Sequence, residues 1–204
     1  NFLNYPAYTV VPYDQRLAKL PLWLQQVDME SNGKTVDREG RAVEISTGPL
    51  IMGGPGTDVQ HSYFQWMHQG TDTCPADFII CAKPDHEYDA QHQTLITHFL
   101  AQQKALMDGF DAGTETFRNF PGNRPSNALI LDSLTPYTLG QLLSLYEHKI
   151  FVQGVVWNIN SFDQYGVELG KTMASDLQKS WDDYDGKFDP STEGQLQHIK
   201  DRLN

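Results

Sequence analysis

The sequence predicts an α/β fold: a mainly parallel five-stranded sheet flanked by helices, followed by a helical C-terminal arm. Three observations lead there. Five short apolar runs punctuate the chain, and most are continuously apolar rather than alternating, as a sheet buried on both faces requires. Helical patterns lie between those runs, and strands separated by helices imply crossover connections and parallel pairing. After Trp157 the pattern becomes helical, with Gln164–Gln178 and then Ser191–Arg202.

The elements follow in order. Thr9–Pro12 reads as the first strand. A helix follows over Pro21–Glu30; its pattern reaches back toward Asp14, but Pro21 lacks an amide hydrogen and breaks or kinks it there. That helix stops at Ser31-Asn32-Gly33, where Gly33 can supply a left-handed cap. The strand Pro49–Met52 leads through Gly53-Gly54-Pro55-Gly56 into a helix over Asp58–Gln69. Its start, Thr57-Asp58-Val59-Gln60, has capping-box spacing. Strand Phe78–Cys81, helix Asp89–Met107, strand Ala128–Leu131, helix Leu139–His148 and strand Phe151–Trp157 complete the sheet and its flanking layers. Ser161-Phe162-Asp163-Gln164 repeats the capping-box logic before a helix over Gln164–Gln178. Trp181–Pro190 is a polar, turn-rich connection to a last helix over Ser191–Arg202. Residues 1–160 thus form one α/β domain and 161–204 an arm, without internal repeats.

With 204 residues, 39% hydrophobic and 20% charged, the chain has an ordinary globular balance. A formal net charge of −11 argues against nucleic acid and anionic membranes, which attract basic surfaces. A phosphorylated sugar is compatible, since it needs only a local pocket of donors. No apolar run approaches a membrane span, and the start shows no signal-peptide pattern. The opening Asn1-Phe2-Leu3-Asn4-Tyr5 reads as the interior of a longer chain. Cys74 and Cys81 read as reduced structural thiols of a cytoplasmic protein. The seven histidines contain neither HExxH nor an i, i+4 pair, so no metal site is expected.

Three places offer chemistry. Gln26 and Glu30 are four apart near a helix C-terminus and share a face. A carboxylate sits badly with the negative end of a helix dipole, which makes Glu30 a candidate general base, although a solvated helix-end glutamate is the commoner case. His61, in the first turn of the next helix, is biased toward neutral imidazole by the positive dipole end there; a half-buried structural histidine is the plainer reading, and His68 lies seven residues on. Gln164, Glu168 and Lys171 fall at i, i+4 and i+7, presenting an amide, a carboxylate and an ammonium, or simply a surface ion pair between Glu168 and Lys171. The Gly53–Gly56 loop lacks a P-loop lysine and full GxGxxG spacing and reads first as a tight turn.

At these residues the chain resembles a family. Gly154–Lys171 (GVVWNINSFDQYGVELGK) is similar to the C-terminal signature of glucose-6-phosphate isomerases. Further blocks resemble that family in its order: Asp28-Met29-Glu30-Ser31-Asn32-Gly33-Lys34, Gly56-Thr57 with Gln60-His61, His68-Gln69-Gly70-Thr71, Gly122-Asn123-Arg124-Pro125 and Tyr146-Glu147-His148-Lys149. The resemblance implies a cytoplasmic aldose–ketose isomerase of glycolysis and gluconeogenesis, working without a cofactor through a cis-enediol. It makes Glu30 the base between C1 and C2, has His61 assist ring opening with Lys171 near the ring oxygen, and has Gln26 and Gln164 contact the substrate. It also implies a homodimer whose site takes its histidine from the partner subunit, and a SIS-type (sugar isomerase) α/β domain. The sequence departs from the pattern at Met52 and Gly54, where many members carry tryptophan and glutamate, and at Val59, where they carry glycine. The Ser/Thr-rich phosphate loop and enediolate-stabilising arginine of the family's N-terminal half are not found, so a C-terminal portion is expected. The alternative is a non-catalytic SIS-type module that binds sugar phosphates; such a module has no need of Glu30, His61 and Lys171 together.

Overall fold

The apolar runs near the start of the chain pair into a parallel sheet. Its strands are β1 (Ala7–Pro12), β2 (Leu50–Gly53), β3 (Ala76–Cys81) and β4 (Ser126–Leu131), in the order β2-β1-β3-β4. The structure is a computed structural model that describes residues 1–179, 181 and 188–203. Every residue of β3 is buried, which is why its sequence ADFIIC does not alternate.

Successive side chains of the strands serve two cores. Val11, Phe78 and Ile80 pack with Tyr13 against Val59, Phe64, Met67, Phe99 and Leu106. These come from α2 (Gly56–Val59), α3 (Phe64–Gln69) and α4 (Asp89–Asp108). Val10, Ile79 and Ile51 face Leu20, Leu24, Leu142, Tyr146 and Ile150, carried by α1 (Leu20–Leu24) and α5 (Pro136–Val156). Each large apolar side chain fully buried this way stabilises the fold by about 1.5–3 kcal/mol. The predicted α/β class and parallel pairing hold.

The fifth strand does not. Phe151–Trp157 is the last two turns of α5 and the residue after it. A short apolar run reads the same for a strand and a buried helix. What decides is the four-residue spacing of Leu142, Tyr146, Ile150 and Gly154, all buried, while Phe151, Val152, Val155 and Val156 are 48–60% exposed. A capping box between Thr135 and Thr138, with Pro136 in the first turn, starts this helix.

Several predicted boundaries change as well. Asp58–Gln69 is not one helix; residues 60–63 interrupt it, and Thr57 caps nothing because α2 already begins at Gly56. Gln60 instead donates to the Tyr13 hydroxyl at 2.8 Å. Gly33 is not left-handed; a Cβ there would lie 2.6 Å from the Met29 carbonyl oxygen, so close approach requires the glycine. Ser161 caps no helix, since its hydroxyl is committed to Asn32.

Residues Gln164–Asn204 cluster as a compact unit separate from Asn1–Asp163. The second unit has a 3₁₀ turn at Tyr165–Val167, then α6 (Glu168–Lys179) and α7 (Pro190–Leu203). The predicted connection Trp181–Pro190 lies largely outside the described residues. No helix among the described residues is long and apolar enough to cross a membrane.

Candidate active site

The helix that opens at Leu20, with Pro21 in its first turn, widens into a π-helical turn over Gln25–Glu30. Such turns re-aim side chains and recur at functional sites. Gln25 is turned inward and donates to the carbonyl of Ile51 at 2.9 Å, Gln26 is exposed, Asp28 is buried and Glu30 is half-buried. Among the described residues none hydrogen-bonds or ion-pairs with the Glu30 carboxylate. An unclaimed, half-buried carboxylate is a group able to take a proton from a substrate placed over it.

The buried side of this turn is polar. Asp28 has no solvent exposure; its Oδ1 accepts from Asn32 at 3.1 Å, and its Oδ2 has no hydrogen-bond donor but lies 3.9 Å from Lys149 Nζ. Burial pushes the Asp28 carboxyl above the usual range, opposed by the Lys149 charge and the Asn32 bond. The same burial pushes the Lys149 ammonium down, opposed by Asp28 and Asp77. Lys149 also stands 3.9 Å above the Tyr8 ring, a cation–π contact. Asp77, on β3, accepts from the Tyr8 hydroxyl, from the Tyr146 hydroxyl at 2.9 Å and from Asn127 at 2.9 Å. Burial, then the neighbouring acidic groups, hold both phenols in the protonated form well above their ordinary pKa.

Lys34 reaches back across the helix end. Its ammonium donates to the Glu30 carbonyl at 2.9 Å and the Asp163 carbonyl at 2.8 Å, and pairs with the Asp163 carboxylate at 3.0 Å. Asp28, Asn32, Lys34 and Lys149 stood in the sequence only as members of recognised blocks. The available signal was a polar residue on a buried face: Lys149 lies between Tyr146 and Ile150, both in the core.

Glu30 and His61 lie toward opposite ends of β2. A Cβ on Gly53, at the carboxyl end of β2, would fall 2.6 Å from Pro21 Cβ; one on Gly48, before the amino end of β2, would fall 2.8 Å from the Gly33 nitrogen. The Glu30 helix therefore runs back along β2 to its amino end. His61 follows the carboxyl end, just after α2, whose Gly56 closes on the Tyr13 ring. The histidine is exposed in the turn between α2 and α3, its amide donating to the Asp58 carbonyl at 3.1 Å. It does not occupy the first turn of a long helix, so the dipole argument made for it does not apply.

Gln164 and Lys171 are exposed and belong to the second unit. Gln164 precedes the 3₁₀ turn rather than joining α6, so the predicted helical face of Gln164, Glu168 and Lys171 is not formed. No ion pair links Glu168 and Lys171 among the described residues. Other blocks of the resemblance carry the fold. His68 is buried against Phe64 and Phe120 with Nε2 2.9 Å from Gln102 Oε1, and Arg124 is buried and donates to the carbonyls of Gly70 and Asp72 and to Thr73.

Comparison with known proteins places this geometry in context. The family model described as phosphoglucose isomerase matches residues 1–196. Glucose-6-phosphate isomerase 1 of Chromohalobacter salexigens is 49% identical over 202 residues, covering 98% of this chain and 37% of the relative. Glucose-6-phosphate isomerase of Stenotrophomonas maltophilia strain K279a is 49% identical over 201 residues, covering 98% of this chain and 40% of the relative. The crystal structure of a glucose-6-phosphate isomerase from Chlamydia trachomatis superposes with a TM-score of 0.86 at 39% identity, covering all of this chain and 39% of that one. The chain thus spans about two-fifths of the length of the relatives it matches.

Proposed function

Because the chain belongs to the phosphoglucose isomerase family, we propose that it is the C-terminal portion of an enzyme interconverting glucose 6-phosphate and fructose 6-phosphate. In this reading residues 1–160 are a SIS-type domain and 161–204 an arm. The protein works in the cytoplasm, in glycolysis and gluconeogenesis, and needs no cofactor. Glu30 moves the proton between C1 and C2 through a cis-enediol. His61 assists ring opening, Lys171 attends the ring oxygen, and Gln26 and Gln164 contact the substrate.

The observation that carries the reading is the Glu30 carboxylate, half-buried at the end of a π turn and unclaimed by any described residue. The separation of Glu30 and His61 to opposite ends of β2 supports a second part of it. A homodimer in which the partner subunit supplies the histidine brings the two groups to one substrate.

The test is Glu30→Gln in the intact enzyme that carries this segment. Isomerisation is expected to be abolished while sugar-phosphate binding, measured calorimetrically, stays within a few-fold of the parent. Near-normal turnover would remove Glu30 from the mechanism. Binding by the parent protein without any turnover would favour the sugar-phosphate-binding module instead. The 204 residues alone should isomerise very poorly, because binding and electrostatic stabilisation from the rest of the enzyme are lost.

A further inference from the structure

Asn32 is polar, fully buried and placed just beyond the π turn. Its side-chain nitrogen donates to Asp28 Oδ1 and to the Ile150 carbonyl, each at 3.1 Å, and its oxygen accepts from the Ser161 hydroxyl at 2.6 Å. Those three bonds join the helix that carries Glu30, the later part of α5, and the turn that leads to Asp163. Packing leaves the amide little room. A Cβ on Gly154 would lie 2.0 Å from Ser161 Oγ and 3.3 Å from Asn32 Oδ1. Lys34 adds its own tie from the Glu30 carbonyl to Asp163. The Glu30 carboxylate is held by none of the described residues, so its aim is set by the backbone that these side chains anchor.

We infer that Asn32 is a positioning residue, which aims Glu30 by locking the end of its helix to α5 and to Ser161. The inference rests on the reading of Glu30 as the base. In that reaction the C2–H bond of the open-chain aldose breaks and its proton passes to the carboxylate. The electron pair forms the C1–C2 double bond of the enediol as the C1 oxygen takes a proton. Return of a proton from Glu30 to C1, with loss of the C2 hydroxyl proton as the C2 carbonyl forms, gives the ketose. While it sits on Glu30 the proton either returns to carbon or exchanges with water, and the balance depends on how closely the carboxylate covers the enediol face.

The experiment uses the intact enzyme carrying this segment and glucose 6-phosphate labelled with deuterium at C2. The fraction of label retained at C1 of the product is compared for the parent, Asn32→Ala and Ser161→Ala. This fraction is read only on molecules that turn over, so a population of unfolded chains does not move it. In Asn32→Ala, kcat is expected to fall about 100-fold, the scale of a 1 Å misplacement, with KM changed less than about twofold. Label retention should fall at least about twofold in both variants. If Asn32→Ala does not fold, Ser161→Ala decides, since it removes one bond and leaves the other two. Parent-like label retention in the variants that fold overturns the inference. Glu30→Gln run alongside separates the two ideas. If it turns over normally, the base assignment falls and the positioning role with it; if it is inactive while Asn32 and Ser161 variants retain label normally, only the positioning role falls.

Discussion

Two glycines on one helix should respond oppositely to the same substitution. Gly140 and Gly154 both lie inside α5, and alanine in place of glycine in a helix interior is worth about 1 kcal/mol. At Gly140 a Cβ would meet nothing within 4 Å, so Gly140→Ala should realise most of that gain. At Gly154 the same methyl group would sit 2.0 Å from Ser161 Oγ and 3.2 Å from Ser161 Cβ. The serine must rotate away, which leaves the buried Asn32 oxygen without its donor at a cost of about 1–3 kcal/mol. Overpacking adds about 1–3 kcal/mol, so the net effect is a loss of about 1–5 kcal/mol. For a chain of this size about 1 kcal/mol shifts the melting temperature by roughly 2–4 °C. Thermal melts followed by circular dichroism should therefore show Gly140→Ala up by about 2–4 °C and Gly154→Ala down by at least that much. Removing the obstructing hydroxyl supplies the internal check: in a Ser161→Ala background, Gly154→Ala should cost at least about 1 kcal/mol less than it does alone. A Gly154→Ala protein that melts above the parent, or a cost unchanged by Ser161→Ala, would refute the packing argument and weaken the Asn32–Ser161 link with it.

Tyr146→Phe removes one donor from the buried Asp77 carboxylate, and should lower stability by about 1.5–3 kcal/mol with an unchanged urea m-value; an unchanged urea midpoint would show that the bond contributes nothing. Burial pushes the Tyr13 and Tyr63 phenols up to about 12, against their hydrogen bonds from Gln60 and with Thr9. Above pH 10 the unfolded chain therefore sheds protons that the fold retains. Stability should fall as pH rises from 10 to 12, by up to about 1.4 kcal/mol per pH unit for each group. Urea melts across that range, with absorbance at 295 nm, check it; ionisation of these tyrosines well before unfolding would contradict it. Burial likewise raises the thiols of Cys74 to about 12 and Cys81 to about 11, so Ellman's reagent at pH 8 should leave both nearly untouched until denaturant is added. Rapid stoichiometric labelling of the native chain would refute that.

The features legible in the sequence were those with a local cause. Pro21 sits in the first turn of its helix because its ring fixes the backbone and its missing amide hydrogen costs nothing there. Within β3, Phe78–Cys81 was recognisable because burial on both faces leaves those residues apolar without alternation. The features that were misread depended on a partner distant in the chain. Thr57-Asp58-Val59-Gln60 has the spacing of a capping box, but Gln60 is taken by the Tyr13 hydroxyl, 47 residues away. Ser161 has the spacing of an N-cap, but Asn32 lies 129 residues away and holds its hydroxyl.

The candidate site divides along the same line. By itself the sequence determined the family, through blocks in a shared order, and the resemblance supplies the proposed site residues Glu30, His61, Lys171, Gln26 and Gln164. Residue type and spacing alone leave Glu30, His61 and Lys171 with plainer structural readings; the shared order of blocks is what singles them out. Tertiary structure alone decided which side chains anchor the backbone around Glu30 and that His61 lies toward the other end of β2. It also decided that Phe151–Trp157 finishes α5 rather than forming a strand. An apolar run records only that it avoids water; which surface covers it, and therefore which period it adopts, is settled by the elements packed against it.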